Sequence, residues 1–181
     1  MAAYVKALVS IGGAAILAGQ AIAQPPPLDP LSMRLLVAHN SERVRMGVVP
    51  LQWDAALAAA ALSYGPALAS LGRLQHSPKE SRPGQRENLW MGTSGAYSPE
   101  QMVSTWLAEK RFFHPGVFPN VSSTGNWLDV AHYTTLVWPT TTRVGCAVYR
   151  SGAFDYLICR YSPPGNIDGR PLLLPRQVDR G

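Results

Sequence analysis

Two histidines and two glutamates are the residues whose types could form one chemical site in this sequence: His76, Glu87, Glu109 and His132. Imidazole and carboxylate side chains can bind a divalent cation, and they can also form hydrogen-bonded acid–base pairs. A histidine taken alone is more often a structural residue that is bonded within the core. The four residues therefore predict a site only if the elements that carry them bring them together.

The surrounding sequence offers a way to position each of the four. Glu109 follows Trp106 by three residues, which places both on one face of a predicted helix. His132 begins a run rich in threonine and aromatic residues, which predicts a strand with the histidine at the rim of its buried face. His76 and Glu87 flank a loop with proline and glycine, which could bring this pair together.

The elements follow an order of helices and then strands. Three helices are predicted: from about Leu35 to Gly47, from Ala55 to Leu71 with Asp54 as N-cap and a kink or break at Pro66, and from Ser98 to about Arg111. Strands are predicted at 87–89, at 133–138 and in a hairpin over 144–159, and a long loop at 113–127. This order predicts an α+β fold with an antiparallel sheet.

The two cysteines, Cys146 and Cys159, are predicted to form a disulfide across that hairpin. A two-residue turn at Gly152-Ala153 makes Ser151 face Phe154, and the same register pairs the two cysteines. Counting outward places them at a non-hydrogen-bonded position, where Cα atoms are about 4.5 Å apart. That separation lies at the close end of disulfide geometry.

The N-terminal residues resemble a targeting signal. Lys6 precedes an apolar run that ends Ala21-Ile22-Ala23, so residues 1–23 are predicted to be a signal peptide and 24–33 a proline-rich lead-in. The alternative is an anchor that stays attached, although the run is short for a membrane span. A secreted or periplasmic location follows, with no transmembrane segment after cleavage.

The chain carries a formal net charge of +5, and its arginines are scattered without a dense run. This distribution favours a solvated basic surface over nucleic-acid binding, while attraction to an anionic envelope surface stays open. His39, inside the first helix, is predicted to be structural, and His114, in the long loop, to be exposed. The sequence has no Gly-x-Ser-x-Gly elbow, phosphate loop or Cys-x-x-Cys motif.

A series of short motifs resembles the CAP superfamily of cysteine-rich secretory proteins, antigen 5 and pathogenesis-related proteins, whose domain is also called SCP. The motifs occur in the family's order: Ala38-His39-Asn40, Leu51-Gln52-Trp53-Asp54, His76-Ser77, Glu87-Asn88-Leu89, Trp106-Leu107-Ala108-Glu109, Ala131-His132-Tyr133-Thr134, Val144-Gly145-Cys146 and Cys159 to Asn166. The resemblance assigns residues 34–166 to a CAP domain and leaves 167–181 as a tail.

The resemblance implies a three-layer α-β-α sandwich with a small antiparallel sheet. It also implies that His76, Glu87, Glu109 and His132 line a central cavity, where the two histidines can hold Zn²⁺ or another divalent cation. Two departures lie next to these residues, because Arg86 and Ala131 stand where the family has glycine. A third is Thr135, which stands where the family has glutamine.

Two functions remain open at this point. The first is a monomeric secreted protein that binds a small apolar, lipid-like ligand or an extracellular partner, as some family members do. Apolar surface for that role is available in the long loop, at Phe112, Phe113, Val117 and Phe118, unless these side chains pack on the core. The second is a metal-assisted hydrolase that uses the same four polar residues.

Overall fold

The computed structural model describes residues 27–173, so the predicted signal peptide lies outside the described residues. The helices in this range are α1 (Pro30–Arg45), α2 (Ala55–Leu71), α3 (Pro99–Leu107) and α4 (Ala131–Leu136). The strands are β1 (Gln52–Trp53), β2 (Arg86–Thr93), β3 (Gly116–Val117), β4 (Arg143–Ser151), β5 (Phe154–Ser162) and β6 (Pro171–Leu172). No helix between residues 27 and 173 has both the length and the apolar character needed to cross a membrane.

The main sheet has four strands in the order β1-β4-β5-β2 and is covered by helices on both faces. Strands β4, β5 and β2 are antiparallel, whereas the two-residue β1 pairs with β4 in parallel, so the sheet is mixed at one edge. Along β5, Tyr156 and Ile158 pack with α2, while Leu157 and Cys159 pack in the core beneath α1, α3 and α4. The predicted α+β fold and its α-β-α layers are confirmed.

The cysteine hairpin has the predicted register. Ser151 pairs with Phe154 around a turn at Gly152, whose φ of 57° is a left-handed conformation that suits glycine. Cys146 pairs with Cys159 at a Cα–Cα distance of 4.1 Å, and the two form a disulfide. This bond joins the two central strands of the sheet.

Helix starts are set by side-chain caps. Asp54 accepts from the backbone N–H groups of Ala56 and Leu57 and caps α2 as predicted. Ser98 caps α3 in a capping box with Gln101. Asp29 caps α1 with Pro30 at the first helical position, so residues 30–33, which were assigned to the proline-rich lead-in, are helical.

Two other helix predictions need correction. Pro66 does not split α2, which is continuous from Ala55 to Leu71. Pro66 has no N–H to donate to Leu62 O, and Leu62 is about half exposed, so water can take the place of that bond. Helix α3 ends at Leu107, and Glu109 lies in the following 3₁₀ turn, Ala108–Phe112, instead of on the same α-helix as Trp106.

The predicted strand at 133–138 is wrong, because Ala131–Leu136 forms α4. The β-branched residues are accommodated by hydrogen bonds within the helix: Thr134 Oγ1 donates to Val130 O, and Thr135 Oγ1 donates to Ala131 O. Distant side chains bind both ends of this short helix, since Glu109 accepts from its first N–H groups and Arg43 donates to the carbonyl of Leu136. These tertiary contacts override the local strand preference.

Arg43 is fully buried and connects α1 to the segment after α4. Its Nη1 donates to Leu136 O and Trp138 O, and its Nη2 donates to Thr141 O. Its Nε donates to Val49 O. Burial lowers the pKa of Arg43 to about 10, so the guanidinium keeps its proton at neutral pH.

His39 is structural, as predicted, and is fully buried between α1 and the sheet. Its Nδ1 lies 2.7 Å from Leu35 O, which can only accept, so Nδ1 carries the proton. Its Nε2 then accepts from the hydroxyl of Tyr161 at 2.8 Å. Burial lowers the pKa of His39 to about 4, so the ring is neutral in the folded protein at pH 7.

This buried ring predicts a loss of stability in acid. The pKa of His39 is about 4 in the folded chain and about 6.5 when unfolded, so between these values the unfolded state binds more protons. The free energy of unfolding should therefore fall by about 3 kcal/mol from pH 6.5 to pH 4 through His39 alone. Urea denaturation across this range, on the native chain and on His39→Gln, measures it. Equal pH slopes in the two proteins would contradict the prediction.

Candidate functional site

His76 and Glu87 form the first of two histidine–glutamate pairs. His76 Nδ1 lies 2.8 Å from Glu87 Oε1, which also accepts from the backbone N–H of Ser77. The second oxygen, Oε2, accepts from the Ser77 hydroxyl and lies 2.9 Å from Nε of Arg160 in a buried ion pair. Glu87 is buried, whereas about half of the His76 side chain is exposed.

The charge of Glu87 is stabilised by these neighbours. Burial alone would raise the pKa of its carboxyl group. The hydrogen bond from His76, the positive charge of Arg160 and the bonds from Ser77 outweigh burial, so the pKa lies below its usual value. Glu87 is therefore an anion at neutral pH, which favours a proton on the His76 Nδ1 atom that faces it.

His132 and Glu109 form the second pair, and this pair also begins a helix. His132 Nδ1 lies 2.6 Å from Glu109 Oε1. Glu109 Oε2 accepts from the backbone N–H groups of His132 and Tyr133, both at 3.0 Å, at the start of α4. The carboxylate therefore satisfies unpaired helix N–H groups and fixes the orientation of the imidazole ring.

Trp106 fixes the ring of His132 from a second direction. The two rings are stacked, with an interplanar angle of 8° and centroids 6.0 Å apart. The indole N–H of Trp106 donates to Leu89 O, so the tryptophan is held against β2. The sequence motif that joins Trp106 to Glu109 therefore supplies two different contacts to one histidine.

The two pairs meet at a cavity of about 240 Å³, so the structure brings the predicted residues together. His76, Glu87 and His132 are among its lining residues, whereas Glu109 is not among them and contacts the cavity through His132. The other lining residues are Arg86, Asn88, Trp127, Leu128, Ala131, Thr135 and Asn166. His114 is exposed, as predicted, and neither His39 nor His114 is among the lining residues.

Two asparagines at this site were missed by the sequence reasoning. Asn88 Nδ2 donates to His132 O and connects β2 to α4. Asn166 Nδ2 donates to Ala131 O and to the hydroxyl of Thr135. Asn88 directly follows Glu87, and Asn166 directly follows Gly165, so both lie inside the family motifs given above. Their place in those motifs is the sequence feature that could have identified them.

The departures from the family pattern have structural roles of their own. Arg86 donates from Nε to Gly165 O and from Nη2 to Asn166 O, so it fixes the loop after β5. Thr135 accepts from Asn166 in the wall of the cavity. The loop, α4 and β2 are joined around the cavity by these bonds.

His76 and His132 are side chains of a type that binds divalent cations. Each ring has its Nδ1 beside a carboxylate, which is the arrangement that orients histidines that bind metals through Nε2. Within residues 27–173, the only group of three metal-type side chains with ligand atoms within 4.8 Å of one another is His39, Cys146 and Cys159, so the residues at the cavity do not form such a group. Those cysteines are joined in the disulfide, so that group is not a metal site.

Comparison with known proteins assigns the family. The profile described as CAP, cysteine-rich secretory protein family, matches residues 36–161. The chain belongs to the CAP family. This assignment agrees with the motif order and with the layered fold.

Similar proteins with curated names are pathogenesis-related proteins of plants. The chain is 33% identical to pathogenesis-related protein PR-1 type of Sambucus nigra, over 87% of each chain. It is 38% identical to pathogenesis-related protein 1 of Arabidopsis thaliana, over 71% of this chain and 74% of that protein.

Solved structures share the fold at lower identity. A crystal structure of NaASP2 with Zn²⁺ has a TM-score of 0.67 and 22% identity, covering 80% of this chain and 85% of that one. Venom allergen-like protein 4 of Schistosoma mansoni has a TM-score of 0.61 and 17% identity, covering 80% and 97%.

The double role of Glu109 predicts a specific phenotype for Glu109→Gln. Loss of the charge at the start of α4 should lower the free energy of unfolding by about 1 kcal/mol. Gln keeps one acceptor oxygen and replaces the other with an NH₂ donor, and we expect that oxygen to stay with the two backbone N–H groups. The NH₂ group then faces Nδ1 and should shift the ring tautomers of His132, which ¹⁵N NMR of the histidine ring measures. Glu100→Gln, which removes a carboxylate from the first turn of α3, is the matched control. Unchanged ring nitrogen shifts in Glu109→Gln would show that Glu109 does not fix His132.

Proposed function

We propose that this CAP protein is an exported binding protein whose central cavity holds a divalent cation through His76 and His132. The observation that carries the proposal is the pairing of each histidine Nδ1 with a carboxylate at one shared cavity. Export is supported by the disulfide, which persists in oxidising compartments, and by the secretory-signal pattern in the sequence.

The chemistry of the cavity favours an exchangeable cation. Two neutral imidazoles supply two ligands, and zinc in proteins usually has four. Water or a bound ligand would therefore complete the coordination, and the cation could polarise a group of that ligand. Glu87 and Glu109 would act through their histidines by orienting the rings.

Zinc binding tests this proposal directly. The metal-free chain should bind Zn²⁺ in isothermal titration calorimetry, and binding should weaken on acidification because the imidazoles must be neutral. The double variant His76→Ala/His132→Ala should bind no zinc above background. His114→Ala, which removes an exposed histidine outside the cavity, should bind as the native chain does. Unchanged stoichiometry in the double variant would remove the two histidines from the proposal.

The long loop at 113–127 offers little free apolar surface for a ligand, so another location is considered for the apolar ligand. Phe118 is buried, and Phe112 and Phe113 pack against the core, which leaves Val117 exposed. A larger cleft of about 650 Å³ has a mostly apolar lining that includes Met46, Val48, Val49, Pro115, Pro139, Pro171 and Leu173. We infer that a small apolar ligand would bind in this cleft.

A neutral fluorescent probe, N-phenyl-1-naphthylamine, tests the cleft. Val49→Asp should weaken probe binding about tenfold, because a charge replaces an apolar contact worth about 1.5 kcal/mol. Val44→Asp is the matched control, since Val44 is an exposed valine of α1 that does not line the cleft. Equal effects of the two substitutions would indicate non-specific probe binding.

The hydrolase alternative uses the same histidine–glutamate pairs as acid–base groups. Hydrolytic turnover that is lost with a chelator and in His132→Ala would favour this alternative. Probe or ligand binding that survives both treatments favours the binding function.

A further inference from the structure

A second cleft, of about 500 Å³, borders the central cavity and has a basic lining. It lies between residues 79–86, which run from a 3₁₀ turn to the first residue of β2, and the loop 164–168. Arg86 and Asn166 line both the cleft and the central cavity, so the two spaces share a wall. We name this space the basic cleft.

Positive charge in the basic cleft exceeds negative charge. Lys79, Arg82 and Arg86 line it, and Asp168 is the one acidic residue among the described lining residues. None of these three cations forms an ion pair within residues 27–173. The positive charge of Arg82 acts on Arg86 and lowers its pKa further after burial has lowered it. An anion between them would relieve this repulsion.

The two arginines are held in place by backbone carbonyls. Arg82 donates from Nε to Ser77 O and from Nη1 to Gln85 O, and Arg86 donates to the carbonyls of Gly165 and Asn166. One terminal nitrogen of each guanidinium, Nη2 of Arg82 and Nη1 of Arg86, has no acceptor among the described residues and is not sealed from solvent. These donors are pre-organised, so binding through them loses little side-chain entropy.

We propose that the basic cleft binds a phosphate group through Lys79, Arg82 and Arg86. Phosphate fits because its several oxygens can accept from two guanidinium groups and an ammonium group at once. The group could belong to a small soluble phosphate ester or to a lipid headgroup. This inference does not depend on the cation proposed for the central cavity, because Lys79, Arg82 and Arg86 are not among the proposed cation ligands.

Inorganic phosphate is the first probe, titrated into metal-free ¹⁵N-labelled protein with a chelator present and chloride holding ionic strength constant. Amide shift changes should cluster at 79–86 and 164–168. Arg86→Gln should weaken binding about tenfold, by loss of charged hydrogen bonds. Lys79→Gln should weaken it about threefold, and Asp168→Asn should strengthen it about threefold.

Arg34→Gln is the matched control, because it removes one charge from α1 and does not alter the basic cleft. Equal weakening by Arg34→Gln and Lys79→Gln would overturn the site and leave only non-specific charge attraction. Since Arg86 also anchors the loop after β5, the opposite effects expected for Lys79→Gln and Asp168→Asn keep the test valid if Arg86→Gln folds poorly. Failure of zinc binding would leave all these results unchanged.

Two further probes separate the sources of the phosphate. Glycerol phosphate that produces the same shift map, with no binding to vesicles, would assign a soluble ester. Binding to phosphatidylcholine vesicles only when they contain phosphatidic acid, weakened by Lys79→Gln and not by Arg34→Gln, would assign a lipid headgroup. Absence of binding to inorganic phosphate, the ester and the vesicles overturns the proposal.

Discussion

The buried guanidinium of Arg43 is the constraint on which the arrangement of this domain depends. It donates to four carbonyl groups, one on Val49 soon after α1 and three on the distant segment that holds Leu136, Trp138 and Thr141. A buried charge is costly unless hydrogen bonds replace its hydration, so the surrounding chain must keep these carbonyls in place. These bonds hold the end of α4 and the turn before β4 against α1. Because His132 lies on α4, Arg43 also helps to position this histidine.

The candidate site and the fold share their polar residues. Glu109 caps α4 and orients His132, while Glu87 binds the Ser77 backbone, pairs with Arg160 and contacts His76. Each histidine is therefore held by a carboxylate that is itself held by backbone or by a buried cation. Such a site is rigid before any ligand arrives, which reduces the entropy lost on binding.

The elements that were predicted correctly from the sequence are those set by local rules. The hairpin register follows from a two-residue turn, and the caps at Asp54 and Ser98 follow from side chains next to the helices they begin. The strand predicted at His132 was wrong because α4 depends on Glu109 and Arg43, which are distant in sequence. Composition and spacing could not show those partners; the family resemblance named the site residues but not their contacts.

Strand β2 forms an edge of the main sheet, and eight residues make it a long one. Ser94 N donates to Ala153 O, so every second residue of β2 counted back from Ser94 directs its N–H and C=O groups towards β5. Leu89 is one of the residues in between, so its N–H and C=O groups point away from β5, towards the open edge. The indole of Trp106 binds the carbonyl of Leu89 there, at 3.2 Å. An uncovered edge of this length is a template for pairing with another chain. Trp106, which stacks on His132, therefore also occupies an acceptor on this edge. A variant in which α3 undocks would lose the cavity and at the same time expose the edge of β2 to pairing with another chain.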